Sequence, residues 1–449
     1  MSTVTPVSLG EATRVWARIA LNSFGGPAAQ IAVMHRVVVD EQRWIGEARF
    51  LSALNFCMVL PGPEAQQLAT YLGWLLHGTR GGLIAGGLFV LPGFVSILAI
   101  SVAYVTLRDL SGFSGLLFGL QAAVLAVVIE ALQRIGGRVL RNPVMVGLAV
   151  AAFVAVFFFQ VPYPAVVGAA AAIGFVGDRL RPDLFRVVAA RTASGGAIAT
   201  VLDTKLDAAA LTRPSVGATA GTATIWAAVW LGPLALLAAF LGPDHLLVQI
   251  GALFASAAAV TFGGAYAVLA WVAQQAVEQH QWLTAREMLD GLGFAETTPG
   301  PLIQVVQFVA FLAAWRQPGE LSPLFAAVAA SGIATWVTFA PSFLWIFTGA
   351  PWIEWLRGSA WLGGALSAIT AAVVGVVANL GLWLAMHVWF GQVDEVRGVL
   401  GVRWLVPVVS TVHPAAIAIG LGATVAMLGF HTRMLPTLAV GAGLGWLLS

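Results

Sequence analysis

Apolar windows long enough to cross a bilayer, roughly 20 residues each, follow one another almost without pause along this chain. A soluble fold of 449 residues cannot accommodate a sequence that is 59% hydrophobic and 9% charged, with mean hydropathy +0.90, because too little polar surface remains to face water. Lipid accepts such surface only when each segment satisfies its own backbone hydrogen bonds, so the spans are helices. They are expected at Arg14 to Met34, Phe50 to Leu76, Gly81 to Leu107, Phe113 to Leu132, Pro143 to Phe159 and Tyr163 to Gly177. After a polar stretch they resume at Ile225 to Leu241, Leu247 to Gln274, Met288 to Trp315, Leu324 to Phe347, Leu362 to Trp389, Pro414 to Phe430 and Leu435 to Leu448. The expected fold class is therefore all-α, a polytopic membrane protein with about 13 transmembrane helices.

The polar stretch, Asp178 to Gly221, carries Arg179, Arg181, Arg186, Arg191, Lys205 and Arg213 and reads as a loosely ordered linker. Basic residues in short loops mark the cytoplasmic side. Arg80, Arg134, Arg138, Arg141 and the linker fall on one face, which predicts a cytoplasmic N-terminus and, with an odd span count, a C-terminus on the opposite, periplasmic side. The net charge of +2 gives no support for a nucleic-acid partner. Cys57 is the single cysteine, and the seven histidines are scattered, so neither a disulfide framework nor a metal site is expected, and no cofactor. Met1 to Leu9 shows no basic region ahead of an apolar core, so a removable signal peptide is not expected.

The chain repeats itself. Phe24-Gly25-Gly26 recurs as Phe262-Gly263-Gly264, Trp44 as Trp282, Phe56 as Phe294, Pro61-Gly62-Pro63 as Pro299-Gly300-Pro301 and Gln66 as Gln304, all 238 positions apart, with 14 identities in the 43 positions from Phe24 to Gln66. Pro92 and Phe94 face Pro341 and Phe343 at an offset of 249. Unrelated apolar helices match at Leu and Ala, not at a spaced Phe-Gly-Gly, Trp, Pro-Gly-Pro and Gln series, so this is duplication. The expected organisation is a first transmembrane repeat over residues 10–178, a cytoplasmic linker over 179–221, a connecting helix over 222–245 and a second repeat over 246–449. Because an odd number of spans separates the copies, the repeats are expected to be inverted, with a substrate site near the midplane where they meet.

Each copy interrupts its second span at Pro-Gly-Pro. Proline cannot continue a helix from the preceding turn but suits the first helical position, so two half-helices are predicted, the second presenting backbone N–H groups at membrane depth. Phe24-Gly25-Gly26-Pro27 follows the same logic in the first span, whereas its partner Phe262-Gly263-Gly264-Ala265 lacks the proline. Helix N-termini favour anions, and four of them at about +0.5 charge each would sum to roughly +2, enough to balance a divalent oxyanion. The alternative is that these glycines and prolines serve only close packing and kinks.

Ionisable residues inside a membrane cost roughly 2.5 to 3.5 kcal/mol on insertion scales, so each is a functional candidate. Glu64 follows the first Pro-Gly-Pro and Glu296 precedes the second by three positions, and their repeat partners are Leu302 and Met58. Both are candidates for proton coupling, and Glu64 can equally stabilise its own helix N-terminus. Gln66 and Gln304 are candidates for amide contacts to oxyanion oxygens, with interhelical hydrogen bonding as the competing role. Arg18 can reach an anion or snorkel to the interface. Glu130 and Arg134 read as an i,i+4 structural pair, Trp44 and Trp282 as interfacial anchors, and Glu287 as a solvated loop charge.

At Phe24-Gly25-Gly26-Pro27, Leu60-Pro61-Gly62-Pro63 with Gln66, Leu91-Pro92-Gly93-Phe94, Phe262-Gly263-Gly264 and Thr298-Pro299-Gly300-Pro301, the sequence resembles the chromate transporter family from about Gly10 to Trp446. The resemblance implies a two-domain, long-chain member that exports chromate from the bacterial cytoplasm across the inner membrane, confers chromate resistance and is open to proton coupling. Composition and spacing alone reach a small-anion carrier. Its expected partners are chromate or a sulfate-like oxyanion, protons, the lipid bilayer and a second copy in a homodimer. Transport of sulfate or another oxyanion in either direction is the alternative. A membrane-embedded lipid-modifying enzyme is a remote one, since His35, His77, His280, His387, His413 and His431 lie in different segments without metal-type spacing.

Overall fold

The computed structural model describes residues 7–107, 111–185, 187, 214–262, 265–355, 363–398 and 402–448. Most of the linker expectation, residues 188–213, and the glycines Gly263 and Gly264 lie outside the described residues. Helices dominate. From Leu9 onward come α1 (Leu9–Leu21), α2 (Pro27–His35), α3 (Glu47–Val59), α4 (Glu64–Leu107), α5 (Ser111–Val139), α6 (Pro143–Phe159), α7 (Tyr163–Leu180) and, within the stretch expected as linker, the short α8 (Pro182–Phe185). Then come α9 (Val216–Leu241), α10 (Leu246–Val260), α11 (Ala265–Ala273), α12 (Ala285–Thr297), α13 (Val305–Arg316), α14 (Pro323–Trp355), α15 (Gly363–Trp389), α16 (Pro414–Thr424) and α17 (Met434–Leu448). Among the described residues, five segments are long and apolar enough to cross a membrane on their own: Glu64–Leu107, Gly112–Val139, Val216–Leu241, Pro323–Trp352 and Gly364–Trp389.

Local chemistry sets the helix ends. Ser8 accepts from Glu11 N at 3.2 Å to cap α1, Asn142 accepts from Met145 N at 3.0 Å to cap α6, and Pro27 occupies the first turn of α2 behind Gly26. Where a proline sits inside a helix, a carbonyl one turn earlier is released and must find another donor. Pro341 in α14 releases Val337 O, which accepts from Trp230 Nε1 at 2.9 Å, and Pro233 in α9 releases Val229 O, which accepts from Trp336 Nε1 at 3.1 Å. The two prolines thus become a reciprocal clasp between α9 and α14. The rest of α9 turns apolar side chains outward, with Ile225 and Phe240 largely exposed, as a lipid-facing helix does.

The duplication is visible in the backbone. Pro27–His35 and Ala265–Ala273, the π-helical turns Arg36–Glu41 and Gln274–Gln279, and Glu47–Val59 and Ala285–Thr297 each stand 238 positions apart. Even the left-handed residues correspond, Arg43 at φ 51° and Gln281 at φ 52°. The helices of the first and second spans are interrupted at Asn22–Gly26 and Leu60–Pro63 in one copy and after Val260 and Thr297 in the other, where the sequence places the breaks. Trp44 and Trp282 differ from expectation: they are buried, not interfacial, Trp44 tilted against Trp16 at 6.3 Å and Trp282 stacked on His280 at 4.5 Å. Glu287 is also buried, because it closes a capping box in which Thr284 N and Oγ1 donate to its carboxylate at 2.9 and 3.0 Å.

Contacts gather the chain into two compact units that cut across the copies. One comprises Met1–Leu98, Ala190–Gly264 and Thr298–Ala360, the other Ala99–Ala189, Ala265–Thr297 and Trp361–Ser449. In the first, Trp16, Phe50, Phe56, Tyr71 and Phe89 pack with Ile346 and Phe347, so residues from both copies share one core. In the second, α15 packs on α5, α6 and α7, and α17 on α5. There Gly119 and Gly445 let two backbones approach, since a Cβ on Gly119 would sit 2.8 Å from Gly445 Cα. The second unit also carries an antiparallel hairpin that the sequence reading did not anticipate, β1 (Val393–Arg397) against β2 (Arg403–Pro407), with Val393 opposite Pro407.

Candidate functional site

The helix breaks of both copies lie in the first unit, and they pair crosswise. Gly300 N donates to Ser23 O at 2.8 Å, and Gly62 N donates to Thr261 O at 2.8 Å. These are equivalent contacts, since Ser23 and Thr261, like Gly62 and Gly300, are 238 positions apart. Phe24 and Pro299 form an isolated antiparallel bridge beside the first. Each Pro-Gly-Pro therefore meets the glycine break of the other copy. An N–H freed at such a break must meet an anion, water or another protein segment, and for the central glycine of each Pro-Gly-Pro that partner is backbone of the other copy. In α2 the N–H groups of Ala29 and Gln30 return to Gly26 O at 3.0 and 3.3 Å, and in α4 Gln67 N returns to Pro63 O at 3.0 Å.

Gly62 and Gly300 adopt φ of +125° and +112°, a region open to glycine and strained for other residues. At Gly300 the space is closed as well, because a Cβ would lie 2.9 Å from Gly93 Cα. Leu91-Pro92-Gly93-Phe94 thus packs directly on the second break, and Phe94 O accepts from Gln307 Nε2 at 3.0 Å. Gln30 braces the same point, its Nε2 donating to Gly25 O at 2.7 Å and to Gly300 O at 2.6 Å.

Around these breaks lies a set of buried polar atoms with no hydrogen-bond partner among the described residues: both amide atoms of Gln66, Oε1 of Gln67 and Gln304, and the hydroxyls of Ser331, Thr338 and Ser342. All six side chains are at most 2% exposed. A buried polar group left without a partner costs about 1–3 kcal/mol, so a group of them calls for a physical reason to be there. Ser342 and Gln67 both adjoin Gly62, whose Cβ would sit 3.4 Å from Ser342 Oγ and 2.6 Å from Gln67 Nε2. Gln304 Nε2 donates to Gln307 Oε1 at 2.5 Å and to Thr335 Oγ1 at 3.0 Å. Of these atoms, Gln66 Nε2 and the three hydroxyls can donate to oxyanion oxygens without a counter-charge, while the amide oxygens of Gln66, Gln67 and Gln304 only accept.

Gln67, Gln307, Ser331, Thr338 and Ser342 are absent from the sequence-derived candidates. The signal for the hydroxyls was available: Ser331, Thr335, Thr338 and Ser342 are spaced 4, 3 and 4 residues apart, one helical face within an apolar span. At the 249 offset the first copy carries Gly82, Gly86, Phe89 and Gly93, so one long helix presents hydroxyls where its counterpart is mostly glycine.

The remaining candidates are dispersed. Glu64 opens α4 in the first unit, half-buried. Arg18 does not join the buried cluster; it is about half-exposed and pairs with Glu41 at 2.7 Å. Glu296 lies in the second unit, 1% exposed, where one carboxylate oxygen accepts from the Tyr266 hydroxyl and Oε2 has no partner among the described residues. Asp290, six residues earlier in α12 and also missed from sequence, accepts from Tyr104 OH at 2.9 Å and from Gln121 Nε2 at 2.7 Å. Tyr104→Phe removes one of those donors while keeping the ring against Phe294, and is expected to destabilise the protein by about 1–3 kcal/mol, read as a lower Tm in detergent. Glu130 and Arg134 pair at 3.9 Å as expected. No group of three or more metal-ligating side chains occurs among the described residues.

Duplicated broken helices, an apolar exterior and an enclosed polar cluster define an all-α polytopic membrane transporter. The chain belongs to the chromate transporter family, which it matches over residues 10–175 and 247–446. It is 31% identical over 382 residues to a chromate transport protein of Pseudomonas aeruginosa, covering 85% of this chain and 82% of that one. A chromate transport protein of Cupriavidus metallidurans is 27% identical over 85% of this chain and 84% of its own, and a probable chromate transport protein of Synechococcus elongatus is 27% identical over 83% and 85%. No solved structure matches the chain.

Proposed function

We propose that the protein is a secondary transporter that carries chromate out of the bacterial cytoplasm across the inner membrane, binding the dianion in the first unit between the crossed helix breaks. The observation that supports this reading most directly is the set of buried donors open among the described residues, Gln66 Nε2 beside the first Pro-Gly-Pro and the hydroxyls of Ser331, Thr338 and Ser342. Neutral donors suit a carrier, because a buried lysine or arginine would hold a dianion too tightly to release it. The relatives named as chromate transport proteins supply the substrate. Export is downhill in an inside-negative cell: moving two negative charges outward gains about 4.6 kcal/mol per 100 mV. The N-terminus is assigned to the cytoplasm on the distribution of basic residues.

Proton coupling is assigned to Glu296 in preference to Glu64, since the Glu296 carboxylate is buried with an oxygen left open for a proton. Chromate flux into proteoliposomes with and without an imposed pH gradient tests both parts. Wild-type protein should respond to the gradient, and Glu296→Gln should carry chromate at a rate that no longer depends on it. No chromate flux under any condition would sink the transport reading. Sulfate offers four oxygens in the same tetrahedral arrangement, so competition by sulfate in the same vesicles decides which anion the cluster prefers.

A further inference from the structure

The second unit holds another polar cluster that the anion site does not use. Glu278, in the π-helical turn that continues α11, accepts from Arg403 on β2 at 2.7 Å and from Trp383 Nε1 on α15 at 3.1 Å, while its Oε2 is buried without a partner among the described residues. Arg403 also pairs with the more exposed Glu395 of β1 at 3.1 Å. Behind this group is a cavity of about 20 Å³, lined by Ala270, Gln274, Glu278, Asn379, Trp383 and Arg403 among others. That volume holds one water, and the lining offers it several polar partners.

The cavity lies on the face of α11 that leads to Glu296. Tyr266, Ala270 and Gln274 are spaced four apart, so they stack on one side of the helix. Ala270 lines the cavity, and Tyr266, four residues earlier and about 6 Å along the axis, holds Glu296. Small side chains occupy the interval at Ala267, Ala270 and Ala273. The groups acting on Glu296 besides Tyr266 are Glu130 and Arg134 of α5, and those around Glu278 are Arg403, Trp383 and His387. None of the acids or the tyrosine has an equivalent in the other copy's broken helices except Glu278, which falls opposite Asp40; Tyr266 corresponds to Ala28 and Glu296 to Met58.

We propose that protons reach Glu296 by this path, entering at the Glu278–Arg403–Glu395 cluster, crossing the cavity and passing Ala270 to the Tyr266 hydroxyl. A proton from bulk water moves onto Glu278, then to the cavity water. Tyr266 accepts it as it gives its own hydroxyl proton to Glu296, so the tyrosine is unchanged and the carboxylate becomes a neutral carboxyl. The path rests on the assignment of coupling to Glu296 made above.

Purified full-length protein in proteoliposomes, with a pH-sensitive dye trapped inside, reads chromate-dependent proton movement directly. Ala270→Leu, which fills the slot, and Glu278→Gln, which removes the entry group without adding volume, should each slow that movement at least tenfold, with Glu278→Asp restoring it. Chromate counterflow, which needs no net proton movement, reports that each variant is folded. Normal proton movement in Glu278→Gln, with Glu296→Gln uncoupled, overturns the path and leaves the coupling assignment standing. Normal coupling in Glu296→Gln overturns that assignment and the path with it. If leucine at position 270 abolishes counterflow as well, Glu278→Gln alone decides.

Discussion

Gly300→Ala is expected to reduce chromate flux at least a hundredfold, with the protein still inserted in the membrane. Two independent costs meet at this residue. Its φ of +112° is strained for any residue with a Cβ, by about 1–3 kcal/mol. The added methyl would also lie 2.9 Å from Gly93 Cα and 3.1 Å from Gly93 N, backbone that cannot swing aside like a side chain, for about another 1–3 kcal/mol. The loop cannot relax cheaply, because Gly300 N is held by Ser23 O and Gly300 O by Gln30 Nε2. The strain therefore passes into the crossed pairing of the breaks. Gly62→Ala is the informative comparison: its φ of +125° carries the backbone cost, but the new methyl meets the end of the Gln67 side chain, which can move off Pro61 O. Flux should fall in both, and the melting temperature should fall further for Gly300→Ala. Everted vesicles loaded at matched protein content give the rates, and undiminished chromate uptake in both variants would remove the breaks from the transport site.

The sequence carried much of this architecture because its signals are local. Twenty-residue apolar windows, prolines that end helices and a repeated Phe-Gly-Gly, Trp, Pro-Gly-Pro series each act within a few turns of chain, and the helices and breaks fall where those signals lie. Pairings between distant segments were not legible in the same way. Nothing within Pro299–Pro301 says that Gly300 N will meet Ser23 O, and nothing in Asp290 says that Tyr104 and Gln121 will supply its donors. Trp44 and Trp282 show the limit from the other side, since an indole between two spans suits a lipid interface and a buried loop equally well until packing decides. For Arg18 the sequence leaves an anion contact and snorkelling to the interface both open, and its ion pair with Glu41 at 2.7 Å, 23 residues on, is a contact that spacing along the chain does not show. The stripe from Ser331 to Ser342 is a different case, readable from spacing alone but hidden by the apolar residues around it.

The two glutamines that match between the copies separate a binding role from a structural one, because the structure partners one and leaves the other bare. Among the described residues Gln66 has no partner for either amide atom, so the folded protein carries its desolvation without return, about 1–3 kcal/mol. Gln66→Leu keeps nearly the same volume and removes that penalty, and the expected result is a melting temperature higher by a few degrees together with chromate flux lowered at least tenfold. Gln304 donates to Gln307 and Thr335, so Gln304→Leu strands both acceptors and is expected to lower the melting temperature while it lowers flux. A rise in stability on losing a buried amide is what a ligand-binding position shows in the absence of its ligand, since such groups are kept for function at the expense of the empty fold. Added chromate sharpens the contrast: it should raise the melting temperature of the wild type through binding to the folded state and leave Gln66→Leu unmoved. If Gln66→Leu melts lower than wild type, the amide is interhelical glue, and the anion site must be drawn around the hydroxyls of α14 instead.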